Sequence, residues 1–247
     1  MEQHSIEWYK ARLGKITGSC VSKIFAKSKK AGEKFGDTAK SYLYQVAAER
    51  TMNPKVLENE DVFKSYLEAT DITNKAMEWG NTHEEYARKL YTKRKNKIYP
   101  GVKVEEVGSI PHKQMTGFAS SPDGIVKLDD DPFNDGTLEI KCPSQATYMR
   151  YVTEITNNET LKQVKPEYYW QCMSHMAVTG TQWCDFVVYC PWQQNPMHIV
   201  TILRDEDEIL TLLERIAEAE ELIATITHEE TNEAPPRDYR RHIEEEG

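Results

Sequence analysis

No stretch of these 247 residues approaches the roughly 18 consecutive apolar residues that a membrane span needs. The opening MEQHSIEWYKARLG also lacks the apolar core of a secretory leader. A cytoplasmic protein is therefore expected, in a bacterial host if the chain is phage-encoded. There is no C-x-x-C pair. The five cysteines, Cys20, Cys142, Cys172, Cys184 and Cys190, are odd in number and scattered, which argues against a disulfide framework and against a zinc ribbon. An iron-sulfur cluster needs four converging thiolates. Cys172, Cys184 and Cys190 could lie near one another, but buried thiols are the simpler reading. Internal repeats are absent, and so is any second domain boundary. With 39% hydrophobic and 10% aromatic residues the chain can bury one large core. We expect a single domain over 1–227 and a flexible tail, HEETNEAPPRDYRRHIEEEG, over 228–247.

Positive charge is not in excess either. The net charge is -9, which superficially disfavours a polyanionic partner. Its distribution matters more: lysines gather in KIFAKSKKAGEKFG (23–36) and KLYTKRKNK (89–97), while the last third is rich in Glu. Such asymmetry allows a basic track for phosphates on an acidic body, or simply solvated charged faces.

Ser5 caps a first helix through IEWYKARLG, which Gly14 stops. A second helical pattern runs from about Asp37 through Glu49, with Tyr42, Leu43, Val46 and Ala47 at helical spacing. Thr51 to Asp71 reads as a polar connection. A long helix follows from Asn74 to about Arg94, with Thr73 as N-cap. The period then changes: VKVEEVG (102–108), TGFASSPDGIVKL (116–128) and TLEIKCP (137–143) read as strands, with DDDPFNDG as a turn. A helix from Pro166 to Thr179, strands WCDFVVYCP and MHIVTILR, and a last helix from Asp205 complete the pattern. Its stripe of Ile209, Leu212, Leu213, Ile216 and Ile223 needs a partner surface.

The chemistry gathers around LEIKCP. Side chains two apart on a strand share a face, so Glu139 and Lys141 point together while Leu138, Ile140 and Cys142 point away. An isolated E-x-K fits an edge strand with a solvated ion pair. Here SPDG stands upstream, and a hairpin would bring Asp123 beside Glu139 and Lys141. Two converging carboxylates repel unless a cation lies between them, and hard oxygen ligands suit Mg²⁺ or Mn²⁺. A lysine there can orient or deprotonate an attacking water, or stabilise charge on phosphoryl oxygens. Phosphodiester hydrolysis is the natural chemistry. Glu84 falls on the small and apolar stripe of its helix with Ala76, Gly80, Ala87 and Leu90 or Tyr91, whereas Glu85 points about 100° away. His83 reads as a core or supporting histidine. Gln171 and His175, four apart, face one surface and place the Gln171 amide beside the site.

WYKARLGKITGS (8–19), AMEWGNTHEEYARKLY (76–91), SPDG (121–124), LEIKCP (138–143) and YWQCMSHMAVTG (169–180), in this order, resemble the lambda-type phage recombination exonucleases, the YqaJ-like family of PD-(D/E)-x-K nucleases. The resemblance covers about residues 5–225. It implies an α/β (α+β) fold with a restriction-endonuclease-like core, a central mixed β-sheet flanked by helices. It also implies a Mg²⁺-dependent exonuclease, with Mn²⁺ able to substitute and two ions per site, that digests the 5'-ended strand of linear duplex DNA and leaves a 3' overhang for recombination. By position, Asp123, Glu139 and the Ile140 carbonyl would hold the metal, Lys141 would assist the water, and Glu84 and Gln171 would complete the site. Arg12 and Ser19 match the 5'-phosphate contacts, and Lys29 is assigned to the DNA as well. Family members form a ring-shaped homotrimer and work beside a single-strand annealing protein. Where the family carries an arginine after K-C-P, this chain has Thr147, with Arg150 a shifted candidate. Met77 could wedge between terminal bases or serve as a core methionine. The alternatives are a restriction-like or structure-specific endonuclease sharing the same site, and a non-catalytic DNA-end-binding module.

Overall fold

The computed structural model describes residues 3–70 and 75–231. Helix α1 (Ile6–Arg12) starts where Ser5 is extended and its hydroxyl accepts the Trp8 amide at 3.2 Å; Gly14 follows at φ +67°, a conformation that favours glycine. A two-residue strand β1 (Ile16–Thr17) and a 3₁₀ turn (Val21–Phe25) lead to α2 (Asp37–Arg50). The stretch after Thr51 is not the plain connection expected. It holds α3 (Pro54–Glu58) and α4 (Glu60–Thr70), begun by Asn53, whose side chain accepts the Lys55 amide, and by Asn59, which accepts those of Asp61 and Val62. Of the residues in α3 and α4 only Phe63 is buried, although Val62, Phe63, Tyr66 and Leu67 stand at helical spacing in α4. Helix α5 (Lys75–Lys95) agrees with expectation; its proposed cap, Thr73, lies outside the described residues.

Next come β2 (Lys103–Glu105), β3 (Ile110–Pro111), β4 (Phe118–Ser120), β5 (Gly124–Lys127) and β6 (Gly136–Lys141). TGFASSPDGIVKL is therefore two strands rather than one. β4 sits in a small sheet between β1, parallel, and β3, antiparallel, whereas β5 pairs with β2 and β6. The break falls at Ser121-Pro122-Asp123, where the proline has no amide for a ladder. Helices α6 (Gln145–Glu154) and α7 (Asn158–Val164), absent from the sequence reading, are capped by Ser144 and Asn157. They lead through α8 (Pro166–Thr179) to β7 (Trp183–Tyr189), β8 (Met197–Leu203) and α9 (Glu206–Thr231). Helix α9 runs past the expected domain end at 227, and residues 232–247 lie outside those described.

The five-stranded sheet has the order β2, β5, β6, β7, β8, and only β6 and β7 are parallel. Parallel neighbours need a long crossover, and α6 to α8 supply it. On one face Leu138, Ile140, Val126 and Val187 pack against Ala87 and Tyr91 of α5. On the other, Phe186, Val188, Val200 and Ile202 share the main core with α8, α2 and α9. The α9 stripe finds its partner there: Ile209, Leu212, Ile216 and Ile223 are buried, at about 1.5–3 kcal/mol per side chain. A mixed sheet flanked by helices is the restriction-endonuclease-like core expected. Among the described residues no helix is long and apolar enough to cross a membrane.

One buried charge fastens α5 to the sheet. Asp185 in β7 is fully buried and accepts from Tyr91 Oη at 2.7 Å, Lys95 Nζ at 2.7 Å and Thr201 Oγ1 at 2.6 Å. Asp185→Ala leaves a mostly buried ammonium and a phenol without their acceptor, so it should destabilise the fold by about 3–5 kcal/mol. Tyr91→Phe, which removes one hydrogen bond, should cost about 1 kcal/mol. Urea unfolding of the two variants would show this order, and a smaller loss for Asp185→Ala than for Tyr91→Phe would refute it.

Candidate active site

β6 is the central strand of its sheet, and Glu139 is fully buried, so the edge-strand reading of E-x-K does not hold. Asp123 stands one residue before β5. Its amide donates to the Leu138 carbonyl at 2.9 Å, and its Oδ2 accepts the Ile140 amide at 2.5 Å. The hairpin thus places the Asp123 carboxylate against the backbone of the E-x-K strand.

On the α8 side of the sheet, Glu139 Oε2 meets His175 Nε2 at 2.6 Å, and Oε1 forms an ion pair with Lys141 Nζ. His175 Nδ1 in turn meets Ser120 Oγ of β4 at 2.8 Å. This contact requires Gly18 on the neighbouring strand end, because a Cβ there would stand 2.1 Å from Ser120 Oγ. The Lys141 ammonium lies 5.0 Å over the Tyr168 ring. Glu84 approaches from α5, on the opposite face. Its carboxylate accepts from Arg88 Nη2 at 2.6 Å, and Arg88 also pairs with Glu106. Glu85 is exposed and paired with Lys89, away from the site.

Charge and burial set the protonation pattern. Burial pushes Asp123 well above the usual carboxylate range, and repulsion from Glu139 and Glu84 adds to it. Burial also raises Glu84, outweighing Arg88, with Glu139 contributing. Burial opposes ionisation of Glu139 too, but Lys141 and His175 prevail and hold it below its ordinary value. Lys141 is raised: desolvation pulls it down, yet Glu139 and Asp123 overcome that. Burial pushes the neighbouring Cys142 thiol up to about 12. All five cysteines are free.

Two carboxylates buried together, with a third interacting electrostatically, are the hard-oxygen set that suits Mg²⁺ or Mn²⁺. Burial first, and then the neighbouring carboxylates, make the Asp123 charge costly, a cost that a bound cation would offset. Among the described residues no three His, Cys, Asp or Glu donors already converge on one point.

The small sheet builds a second cluster nearby. Parallel pairing of β1 with β4 aligns Ile16 with Phe118 and Thr17 with Ala119, which carries Ser19 toward Ser121. Arg12 bridges them, with Nη1 3.1 Å from Ser121 Oγ and Nη2 3.1 Å from Ser19 Oγ, its guanidinium 4.1 Å over the Trp8 ring. Burial lowers the Arg12 pKa, but arginine stays cationic. Ser121 is two residues from Asp123, so this cluster adjoins the carboxylates.

Other expected site residues are dispersed. Gln171 is buried on α8 one turn before His175. Lys29 is exposed on the loop after the 3₁₀ turn. Arg150 points outward on α6 and pairs with Glu154 at 2.8 Å; Thr147 sits in the first turn of that helix, its amide bonded to Ser144. The Met77 side chain lies outside the described residues. His83 donates to or accepts from neither carboxylate; its Nδ1 meets the Trp79 carbonyl at 2.9 Å. Sequence reasoning missed the Glu139–His175–Ser120 chain and the Arg12–Ser121 contact. The available signal for the first was that a buried strand glutamate needs a second donor besides Lys141.

The sequence model of the YqaJ-like viral recombinase domain matches residues 7–182. Among solved structures, the alkaline exonuclease LHK-Exo from Laribacter hongkongensis is 32% identical, with a TM-score of 0.63 over 93% of this chain and 100% of that one. LHK-Exo in complex with dAMP gives 31% identity and a TM-score of 0.65 over the same shares. A phage related exonuclease from Haemophilus somnus 129PT, 16% identical, shares the fold with a TM-score of 0.59 over 88% of this chain and 96% of its own. A search of curated proteins returns no match. The chain belongs to the YqaJ-like viral recombinase family, within the PD-(D/E)-x-K nuclease superfamily.

Proposed function

We propose that the protein is a divalent-metal-dependent exonuclease that degrades the 5'-ended strand of linear duplex DNA and leaves a 3' overhang for recombination by strand annealing. The observation that carries this reading is the meeting of Asp123, Glu139 and Lys141 at one end of β6, next to the Arg12–Ser19–Ser121 cluster. Asp123, Glu139 and the Ile140 carbonyl would hold Mg²⁺, with Glu84 beside them. Such an ion, when bound, supplies a Lewis acid for the phosphoryl oxygens and lowers the pKa of its water. Lys141 keeps its proton and offers a positive charge to the oxygens that become more negative during attack. The Gln171 amide, on the same helix as His175, orients the water or a phosphate. His175 holds the Glu139 carboxylate still. Arg12 and Ser19 receive the terminal 5'-phosphate as a charge-assisted pair. LHK-Exo, a relative at 32% identity, is described as an alkaline exonuclease and has been solved with dAMP, which supports the same class of chemistry here. A cytoplasmic homotrimer that works with a single-strand annealing protein belongs to the same reading; light scattering coupled to size exclusion tests the trimer.

On end-labelled linear duplexes with Mg²⁺, the 5' label should be released first. Lys141→Ala should lower the rate by about 10²–10⁴-fold, and Glu139→Ala at least as much. Arg12→Ala should reduce the preference for a 5'-phosphorylated over a 5'-hydroxyl end. Release from the 3' end, or equal cutting of closed circles, would reverse the proposed polarity or class.

The folded Asp123 carboxyl lies above its unfolded value, so the stability cost of ionising it builds up as pH rises from the unfolded value to the folded one and persists in full above that. Asp123→Asn keeps an acceptor for the Ile140 amide and removes that charge. Without metal at pH 8 it should melt about 3 °C or more above wild type, for each kcal/mol relieved. Added Mg²⁺ should raise the wild-type Tm and leave the variant's unchanged. A variant that melts lower without metal would show that Asp123 is not electrostatically stressed.

A further inference from the structure

A row of aromatic side chains lies beside the site and has no part in the chemistry above. On α5, His83 stacks on Trp79 with ring centres 3.7 Å apart and planes 25° from parallel, and Tyr86 stands 6.4 Å from His83. Trp192, from the loop between β7 and β8, lies 6.1 Å from Trp79 with planes 29° apart. The two ends of the row are open: Trp192 is 67% exposed and Tyr86 61%.

The row stands at the site's end of the sheet. β6 and β7 are parallel with Lys141 opposite Val188, so the loop leaving β7 emerges where Lys141 ends β6. Glu84 directly follows His83 on α5. Trp192 is also held firmly. The Gln193 amide donates to the Cys190 carbonyl at 3.2 Å in a turn whose first corner is Pro191, and the Cys190 amide donates to Pro196 at 2.8 Å. Arg94 donates to Asn195 Oδ1 at 2.9 Å and to the Met197 carbonyl at 3.0 Å, while Tyr148 Oη donates to the Asn195 carbonyl at 2.6 Å. A single exposed aromatic is ordinary, but a pinned turn that presents an indole at the end of a stacked row leaves an apolar face with a defined orientation.

We infer that Trp192, backed by Trp79 and His83, is a stacking platform for nucleobases of the DNA strand held at the site; this rests on the nuclease reading for the identity of the ligand. Planar faces open at stacking tilts match any base, which suits an enzyme that cuts without regard to sequence. Lys141, at the end of β6, lies at the same end of the sheet as the loop that carries Trp192. A second copy of this chain is the competing occupant.

The test uses the full-length protein with Ca²⁺ in place of Mg²⁺, and follows binding of labelled tailed duplexes by fluorescence anisotropy. Each duplex is made with normal or abasic nucleotides next to the single-strand junction. Abasic substitution should weaken wild-type binding by about tenfold, the scale of one lost base–aromatic stack. Trp192→Ala should lose a similar factor on the normal duplex and lose nothing further on the abasic one. Trp192→Phe should retain most of the affinity and the sensitivity to abasic sites. The proposal is overturned if Trp192→Ala keeps the wild-type response to abasic substitution. It is overturned equally if sedimentation shows that Trp192→Ala changes the oligomeric state while base sensitivity persists, because Trp192 then covers a neighbouring copy. Failure of the nuclease reading shows separately, as base-dependent binding by a wild type that does not hydrolyse DNA with Mg²⁺.

Discussion

An ionised carboxylate with no exposed surface, Glu139, dictates how the two sheets must meet. A buried charge is tolerated only when paired and hydrogen-bonded. Lys141 supplies one partner from the same strand, and His175 supplies the other from α8. The imidazole needs its own partner, Ser120, which belongs to the small sheet. Ser120 can come that close only because residue 18 lacks a side chain. The contacts therefore run from β6 through α8 to β4 and to the end of β1, and Ser19, two residues past that end, meets Arg12. Satisfying one charge fixes the carboxylates relative to the Arg12 cluster. Buried polar chains of this kind stabilise the fold only when every member is satisfied, which ties the geometry of the site to the stability of the fold.

How much of this was legible in the sequence depends on the range of the interaction. Glu139 and Lys141 share a face by the two-residue period of a strand, Asp123 reaches them by a hairpin, and Glu84 betrays itself as a charge on an apolar stripe. These are local regularities. His175 bonding to Glu139 and Arg12 bonding to Ser121 join segments whose contact exists only after parallel pairing of β1 with β4 and the crossover from β6 to β7. Elements were missed for the opposite reason. Strands β1 and β3 have two residues each, too few to show a period. Helix α3 has five residues, too few for a stripe, and the helical spacing of Val62, Phe63, Tyr66 and Leu67 in α4 is short and set among charged and polar residues. In 116–128 apolar pairs stand on both sides of SPDG, and only those turn residues record that the chain passes from one sheet to another.

The lysine-rich runs show how structure changes the meaning of composition. KLYTKRKNK reads as a possible track for phosphates, yet much of its charge is already committed. Lys89 pairs with Glu85 on the helix surface, Arg94 ties down the loop that carries Trp192, and Lys95 neutralises Asp185 under the sheet. Only the first of these is an exposed pair of the sort worth a few tenths of a kcal/mol; the other two hold architecture. Arg12 is different because its partners are neutral. Its two hydroxyl contacts orient the guanidinium without cancelling its charge, and Glu49 acts on it only through space, so an anion arriving there meets a cation in a partly desolvated setting, where the attraction is stronger than at the surface. A protein with a net charge of -9 can engage a polyanion in this way. What it needs is one well-placed cation whose hydrogen-bond partners are neutral, and the number of lysines elsewhere matters little.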